Sequence, residues 1–224
     1  MQIRWLGHAT FLLSGESARV AIDPYGQFPG NRRLRFDYPP LEDIDAELVL
    51  VTHEHRDHNA VEAVRGDPEV IRSSAGVFES PIGEIVGIAS EHDPRAGTQR
   101  GANTIFCFTL DGVRCCHLGD FGQSELRAEQ REAIGDVEVL FVPVGGGPTV
   151  DGEQAAELVA QIGPSVVVPM HYATPAVDFL EGPEAFLEAV SGRVQQVDSS
   201  EVDAGEHLGA DAERPVVLML QPPV

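Results

Sequence analysis

A change of chemistry within a dozen residues constrains this chain most. Glu47 to Thr52, ELVLVT, is a compact apolar run that reads as a strand, and it leads directly into His53-Glu54-His55-Arg56-Asp57-His58. His53 and His55 are two residues apart, so in extended backbone both rings project to the same side. Asp57 and His58 follow where the chain turns towards a short helix expected over Asn59 to Arg65, so their side chains can reach a neighbouring position. Four donors within six residues at the carboxyl end of a strand is an arrangement for two adjacent metals. Imidazole with carboxylate favours zinc, manganese or iron over calcium. Eight histidines in 224 residues make three at this spacing, plus the aspartate, a poor match to a chance cluster on a solvated loop.

The rest of the chain gives this strand its setting. Short β-rich runs at Gln2 to Leu6, Thr10 to Leu13 and Arg19 to Ile22 precede a long Gly-, Pro- and Arg-rich loop over Tyr25 to Pro40. Further strands are expected at Ile85 to Ala89, Thr104 to Leu110 and Val113 to Leu118, with Asp111-Gly112 as a tight turn between the last two. Then the rhythm alternates. Helices are expected at Ser124 to Ile134, Glu153 to Ile162 and Pro183 to about Val190, and strands at Val137 to Val142, Ser165 to Pro169 and Val216 to Leu220. A β-meander followed by alternating α and β, with no linker-like break, predicts one mixed α/β domain over residues 1–224, with two sheets covered by helices.

Composition removes several chemistries. All 15 basic residues are arginine, which excludes Schiff-base chemistry, a lysine general base and a P-loop. A net charge of −21 argues against a nucleic-acid or anionic-membrane partner, and two divalent ions would offset only a small part of it. The acid-rich surface fits either a saline host or a bias against lysine. The start at Met1 to Trp5 does not read as a charged leader followed by an apolar stretch and a small-residue cleavage site, and no apolar run reaches the roughly 18–20 residues that span a bilayer. Cys107, Cys115 and Cys116 are odd in number and two are adjacent, which suggests buried strand thiols and no disulfide framework. A reduced, cytoplasmic protein is expected.

HEHRDH after an apolar strand matches the H-x-H-x-D-H motif of the metallo-β-lactamase superfamily, and most of the chain resembles its small "UlaG-like" metal-dependent hydrolases. The segments carrying the resemblance are IRWLGHATFLL near the start, IDPY at Ile22 to Tyr25, and EHDPRAGTQRGANTIFCF from Glu91. They continue with HLGDFG at His117 to Gly122, PVGGGPTVD at Pro143 to Asp151 and PMHY at Pro169 to Tyr172. The match covers about Met1 to Tyr172, with the segments in the family's order.

The resemblance implies an α/β (α+β) fold, an αββα sandwich with the metals where the two sheets meet. It implies that His53, His55 and His92 hold one metal, that Asp57, His58 and His171 hold a second, and that Asp120 bridges both. His92, Asp120 and His171 each lie at or just beyond the end of an apolar strand. Two divalent ions about 3.5–4 Å apart, zinc or else manganese or iron, would share a hydroxide as nucleophile. Asp120 would position that nucleophile and relay its proton. Asp23 is implied as an orienter of a ligand histidine, or else caps a turn before Pro24. His8, in GHAT, either donates to a substrate or makes a structural hydrogen bond. Tyr172 is either an acid or oxyanion donor, or packs near the ligand loop. His117 reads as a supporting residue and His207 as exposed. Gly145-Gly146-Gly147 offers bare N–H groups or simply a tight loop. Arg32, Arg33 and Arg35 form the one basic cluster, gripping an anionic substrate or solvated.

The function expected is hydrolysis of a small-molecule ester, lactone or phosphodiester by a dinuclear metal centre. Relatives of this kind cleave a sugar-acid-phosphate lactone, and others cleave phosphodiesters. Acidity favours an ester or lactone here. A non-catalytic metal-binding or regulatory module on the same scaffold is the alternative from another class, and a nuclease-type phosphodiesterase a further one. A homo-oligomer is compatible with the sequence.

Overall fold

The structure, a computed structural model, describes residues 1–28, 34–209 and 214–223. The first half is all β: β1 (Gln2–Gly7), β2 (Thr10–Ser14), β3 (Arg19–Ile22), β4 (Ile44–Asp45), β5 (Leu48–Val51), β6 (Val64–Arg65), β7 (Glu69–Arg72), β8 (Gly76–Ser80), β9 (Gly83–Glu91), β10 (Ala102–Leu110) and β11 (Val113–His117). The second half alternates: α1 (Ala128–Ile134), β12 (Val139–Pro143), α2 (Gly152–Ile162), β13 (Val166–Met170), α3 (Glu184–Ala189), β14 (Arg193–Val197), β15 (Glu201–Asp203) and β16 (Val216–Leu220).

The strands form a six-stranded sheet, in the order β15-β1-β2-β3-β5-β7, and an eight-stranded sheet, in the order β14-β16-β13-β12-β11-β10-β9-β8. Alternation along the strands decides which side chains meet between them. Ile3, Trp5, Phe11, Leu13, Val20, Ile22, Leu48 and Leu50 join the main core with Phe106, Phe108, Cys115, Val139 and Phe141 of the larger sheet. Their neighbours Leu6, Leu12, Ala21, Val49 and Val51 point the other way into a second cluster with Ile44, Ala46 and Val64. Helix α2 buries Ala155, Ala156, Leu158 and Val159 into the main core. It starts on an Asp151 cap, whose carboxylate accepts from Gln154 N at 2.9 Å, and stops at a left-handed Gly163. The fold is therefore the expected mixed α/β, two-sheet arrangement. Over the six-stranded sheet, the covering layer is the β4–β6 ladder and a short 3-10 turn at Val61–Ala63, where the family pattern implies helix.

Three expectations shift. Asn59 to Arg65 forms only that 3-10 turn and then β6, because Gly66, Asp67 and Pro68 follow and leave no room for a full helix. The helix expected from Ser124 begins at Ala128, where Gln130 turns its side-chain oxygen back onto Arg127 N at 2.9 Å. Strands β7, β8, β14 and β15 escape sequence reading because they are polar edge or near-exposed strands with no apolar alternation to detect. Cys115 and Cys116, adjacent and on opposite faces, are both fully buried, since the larger sheet is covered on both sides. Burial raises both thiols well above the ordinary range, so they are inert. Among the described residues no helix is long and apolar enough to cross a membrane.

Candidate metal centre

The chemistry collects at one edge, where β3, β5, β9, β11 and β13 end. Parallel pairing of β3 with β5, of β11 with β12 and of β12 with β13 brings those carboxyl ends together from both sheets. Asp23 follows β3, His53 to His58 follow β5, His92 follows β9, Asp120 follows β11 and His171 follows β13. His8 comes from the turn between β1 and β2, just after a register irregularity at Gly7. His171 N donates to His8 O at 3.2 Å, tying the two sheets together at the site.

Asp120 lies at the centre and is 2% exposed. Its Oδ2 lies 3.0 Å from His92 Nε2, 3.3 Å from His171 Nε2 and 3.8 Å from His53 Nε2. Its Oδ1 lies 3.4 Å from His58 Nε2. Burial alone would raise this carboxyl, but the surrounding imidazoles, His171 foremost, hold it well below the usual range. Asn103 positions the backbone, accepting from Asp120 N at 3.0 Å while its amide donates to Leu118 O and Ser90 Oγ at 2.8 Å. Gly119 must be glycine: its φ is +58°, and a Cβ there would collide with Asn103 Oδ1 and lie 2.7 Å from Thr52 Cβ.

One buried carboxylate orients two of the rings. Asp23 accepts Thr52 N and Thr52 Oγ1 at 2.7 Å each, and His58 Nδ1 at 2.9 Å. A carboxylate only accepts, so His58 carries its proton on Nδ1 and turns Nε2 inward. Thr52 Oγ1 donates to Asp23 and must therefore accept from His53 Nδ1, 3.0 Å away, which leaves His53 Nε2 facing the centre. His92 Nδ1 likewise faces Pro148 O at 3.3 Å. Burial keeps His53 neutral, lowering it well below its ordinary value. His58 is buried too, but Asp120 and Asp23 outweigh that and raise it.

Several polar atoms in this cluster are buried with no hydrogen-bond partner: His8 Nδ1, His53 Nε2, His58 Nε2, His171 Nδ1 and Asp120 Oδ1. Such orphans are costly unless something satisfies them, and lone pairs on imidazole and carboxylate are what a divalent cation takes. His53, His55 and His92 offer donors all within 4.8 Å of one another, and so do His8, His58 and His171. The residues present fit a metal.

The cluster lies against a cavity of about 800 Å³ lined by His55, Asp57, His92, Asp120 and His171 on one side and by Leu34, Phe36 and Phe179 among others. Arg56 and Arg100 also line it, and Arg56 sits 5.6 Å over the Phe28 ring. Sequence reading missed both arginines, although Arg56 stands inside the HEHRDH motif. It also missed Thr52, Asn103 and Asp93. The Asp93 carboxylate accepts from the N–H groups of Arg95, Gly97, Gln99 and Arg100 at 2.7–3.1 Å, folding the loop that brings Arg100 to the cavity. Of the expected basic cluster, Arg32 and Arg33 lie outside the described residues, and Arg35 is paired with Asp178 at 3.6 Å.

Other expected residues fall elsewhere. Tyr172 belongs to the main core, its ring 5.4 Å from Trp5, and it does not line the cavity. Both His117 nitrogens are satisfied, Nε2 facing Ala9 O and Nδ1 accepting Gly119 N at 3.1 Å each. His207 is buried at the end of a 3-10 turn, contrary to its polar sequence surroundings. Of the three glycines, Gly147 reaches the cavity, while Gly145 packs so closely that a Cβ would strike His171 O.

The chain is similar to known proteins. Residues 2–171 match the model of the β-lactamase superfamily domain. The chain belongs to the metallo-β-lactamase superfamily. It is 31% identical over 224 residues to a UPF0173 metal-dependent hydrolase of Thermococcus kodakarensis, covering 88% of this chain and 95% of that one. A similar hydrolase of Archaeoglobus fulgidus is 30% identical, with 92% and 97% covered. The crystal structure of a proposed zinc-dependent hydrolase of the superfamily from Thermotoga maritima superposes with a TM-score of 0.77 at 31% identity, covering 98% of this chain and 99% of that one. This superfamily member is a metal-dependent hydrolase with a His/Asp centre at its sheet edge.

Proposed function

We propose that the protein is a two-metal hydrolase of a small-molecule ester or lactone, with one catalytic unit formed by residues 1–224. The observation that carries this reading is the set of orphaned buried nitrogens arranged on two sides of one orphaned carboxylate oxygen, beside a cavity large enough for a metabolite. His53, His55 and His92 would hold a divalent ion on one side. His58 and His171, completed by Asp57 and His8, would hold one on the other, with Asp120 between them. Zinc suits the nitrogen-rich donors, and manganese or iron are the other candidates. Bound divalent ions acidify water towards neutral pKa and polarise the oxygen of the bond under attack.

The chain's own residues supply the rest. Asp23, acting on His58 directly and on His53 through Thr52, fixes the rings before any ligand arrives. Asp120, in contact with rings on both sides, would position the attacking water and relay its proton to the leaving oxygen. Leu34, Phe36 and Phe179 give one wall of the cavity an apolar face. Arg56 and Arg100 give an otherwise strongly acidic chain two cations at that cavity, which suits a substrate bearing an anionic group. Nucleic acid and membrane are not partners in this reading. The three buried, unpaired cysteines support a reducing, cytoplasmic setting.

The test is metal content of the purified protein by plasma mass spectrometry, followed by a screen of esters, lactones and phosphodiesters with the metal found. About two equivalents per chain, with turnover of an ester or lactone, supports the proposal. Well under half an equivalent, with no gain on dialysis against zinc, manganese or iron, overturns it in favour of a non-catalytic scaffold. Turnover confined to phosphodiesters overturns the substrate class.

A further inference from the structure

The cavity beside the centre has two unlike walls, and each adjoins a different half of the cluster. We propose that the substrate is two-ended, with an apolar group on one side of the scissile bond and an anionic group on the other. Such a substrate rests on the ester or lactone reading above and narrows it.

The apolar wall adjoins the His8 side. The Phe36 ring lies 5.1 Å from that of His8 and 4.7 Å from that of Phe28. An antiparallel bridge joins Phe36 to Val177, and Phe36 and Phe179 pack on a small core of their own, built from Tyr25, Tyr38, Val177 and Leu180. That core leaves Phe36 and Phe179 half-buried and Leu34 56% exposed, and all three line the cavity. Among the described residues, the other strongly exposed large apolar side chains are Val70, Val77 and Val194, and these sit on the edge strands β7, β8 and β14. Leu34 has no such edge to explain it. With Phe36 and Phe179 it gives the cavity a shared apolar surface, the kind that takes a ligand's apolar part.

The cationic wall grows from the His92 side. Asp93, next in the chain, is buried, and the N–H groups that it accepts fold the following loop so that Gln99 and Arg100 line the cavity. Among the described residues no ion pair holds the Arg100 guanidinium. The carboxylates that line the same cavity are committed elsewhere: Asp93 to its loop, Asp57 to His8 at 3.2 Å and Asp120 to the imidazoles. Arg100 therefore keeps its charge for a ligand, in a chain whose net charge of −21 otherwise repels anions. Arg56 adds a second cation from the aromatic side, its guanidinium 5.6 Å over the Phe28 ring. Asp120 faces rings of both halves, so a bond cleaved beside it has the apolar wall to one side and Arg100 to the other.

Four esters separate the walls. Hexanoyl isethionate and hexyl sulfoacetate carry both groups, in opposite order across the ester; acetyl isethionate is anionic only, and ethyl hexanoate is apolar only. Sulfonate serves as the anion because it ligates divalent ions poorly. In metal-loaded protein, at least one two-ended ester should exceed both single-ended ones in kcat/KM by about tenfold or more. Arg100→Ala should erase the gain over ethyl hexanoate and keep the gain over acetyl isethionate. Leu34→Ser and Phe179→Ser should do the reverse; if thermal melting shows Phe179→Ser unfolded, the exposed Leu34→Ser decides. Two-ended esters no better than the better single-ended one, or both kinds of variant removing the same gain, overturn the proposal. If none of the four is turned over, the ester reading falls and binding decides the rest. The hexyl ether of isethionate, which has no bond to hydrolyse, should then bind about tenfold more tightly than the methyl ether in calorimetry, and should weaken in Arg100→Ala. Equal affinity for the two ethers, or no change in Arg100→Ala, overturns the two-ended site.

Discussion

The two halves of the candidate centre are built differently. His53, His55 and His92 draw two members from one short motif, and His55 remains half-exposed at the cavity. His8, His58 and His171 come from a turn in the first sheet, the motif, and the end of a strand in the second sheet, and all three are buried. The first half thus draws mostly on local sequence and keeps one ring, His55, open to the cavity. The second exists only when both sheets have docked, so a metal held there would be coupled to folding. Asp120 touches both halves, and Asp23 supports one ring in each.

That difference can be broken or sharpened by four sets of experiments. Asp120→Asn keeps shape but removes the charge facing both halves. Turnover should fall by about 10²–10⁴-fold, the range of a lost acid–base group, and metal analysis should show both halves weakened. Loss confined to one half would mean that Asp120 serves that half alone.

Asp23→Ala should weaken metal binding at both halves by about 10–100-fold, measured by competition with a chromophoric chelator. Thr52→Val should weaken only the His53 half, since His58 still reaches Asp23 directly. Equal effects of the two substitutions would show that the two rings are not separately supported.

At the open side, Arg56→Ala and Arg100→Ala should each raise KM for an anionic ester by roughly tenfold while leaving kcat near wild type, consistent with one lost charge-assisted hydrogen bond of about 1.5 kcal/mol. A neutral ester of the same shape should show no change. A matching rise for the neutral compound would assign these arginines to packing and not to recognition.

Protonation separates the halves most gently. In metal-free protein, burial foremost, with His171 adding to it, lowers His8 from 6.5 to about 4. The unfolded chain then binds the extra proton first, so the stability that neutral His8 allows is complete above pH 6.5 and is lost as pH falls from there towards 4. Denaturant titrations in chelator should show a shallower loss across that window in His8→Asn than in wild type. An identical slope would mean that His8 does not stay neutral in the folded protein.

The sandwich class was legible because the alternation along β1 and the apolar runs of β2, β3, β5, β12, β13 and β16 are written in the residues themselves. The edge strands were not, since a strand such as β14, mostly exposed, has no hydrophobic period to reveal it. The short turn at Val61–Ala63 was read as helix because the breaker residues Gly66 and Pro68 were given too little weight against local propensity.

For the site, spacing alone determined that His53, His55, Asp57 and His58 could converge, because two-residue periodicity and a strand end leave few other arrangements. The sequence also determined that catalysis could not run through lysine, and that arginine alone would supply any positive charge. The resemblance named His92, Asp120 and His171, and the tertiary structure shows how they and His8 come together. His8 and His171 are 163 positions apart yet lie ring to ring at 4.3 Å, because hydrogen bonding joins the turn of one sheet to the strand end of the other. It likewise moved Tyr172 into the core and brought Arg100 to the cavity, the first through packing on Trp5 and the second through the backbone bonds gathered by Asp93. Local periodicity fixes what a strand can present, and the docking of two sheets fixes what it meets.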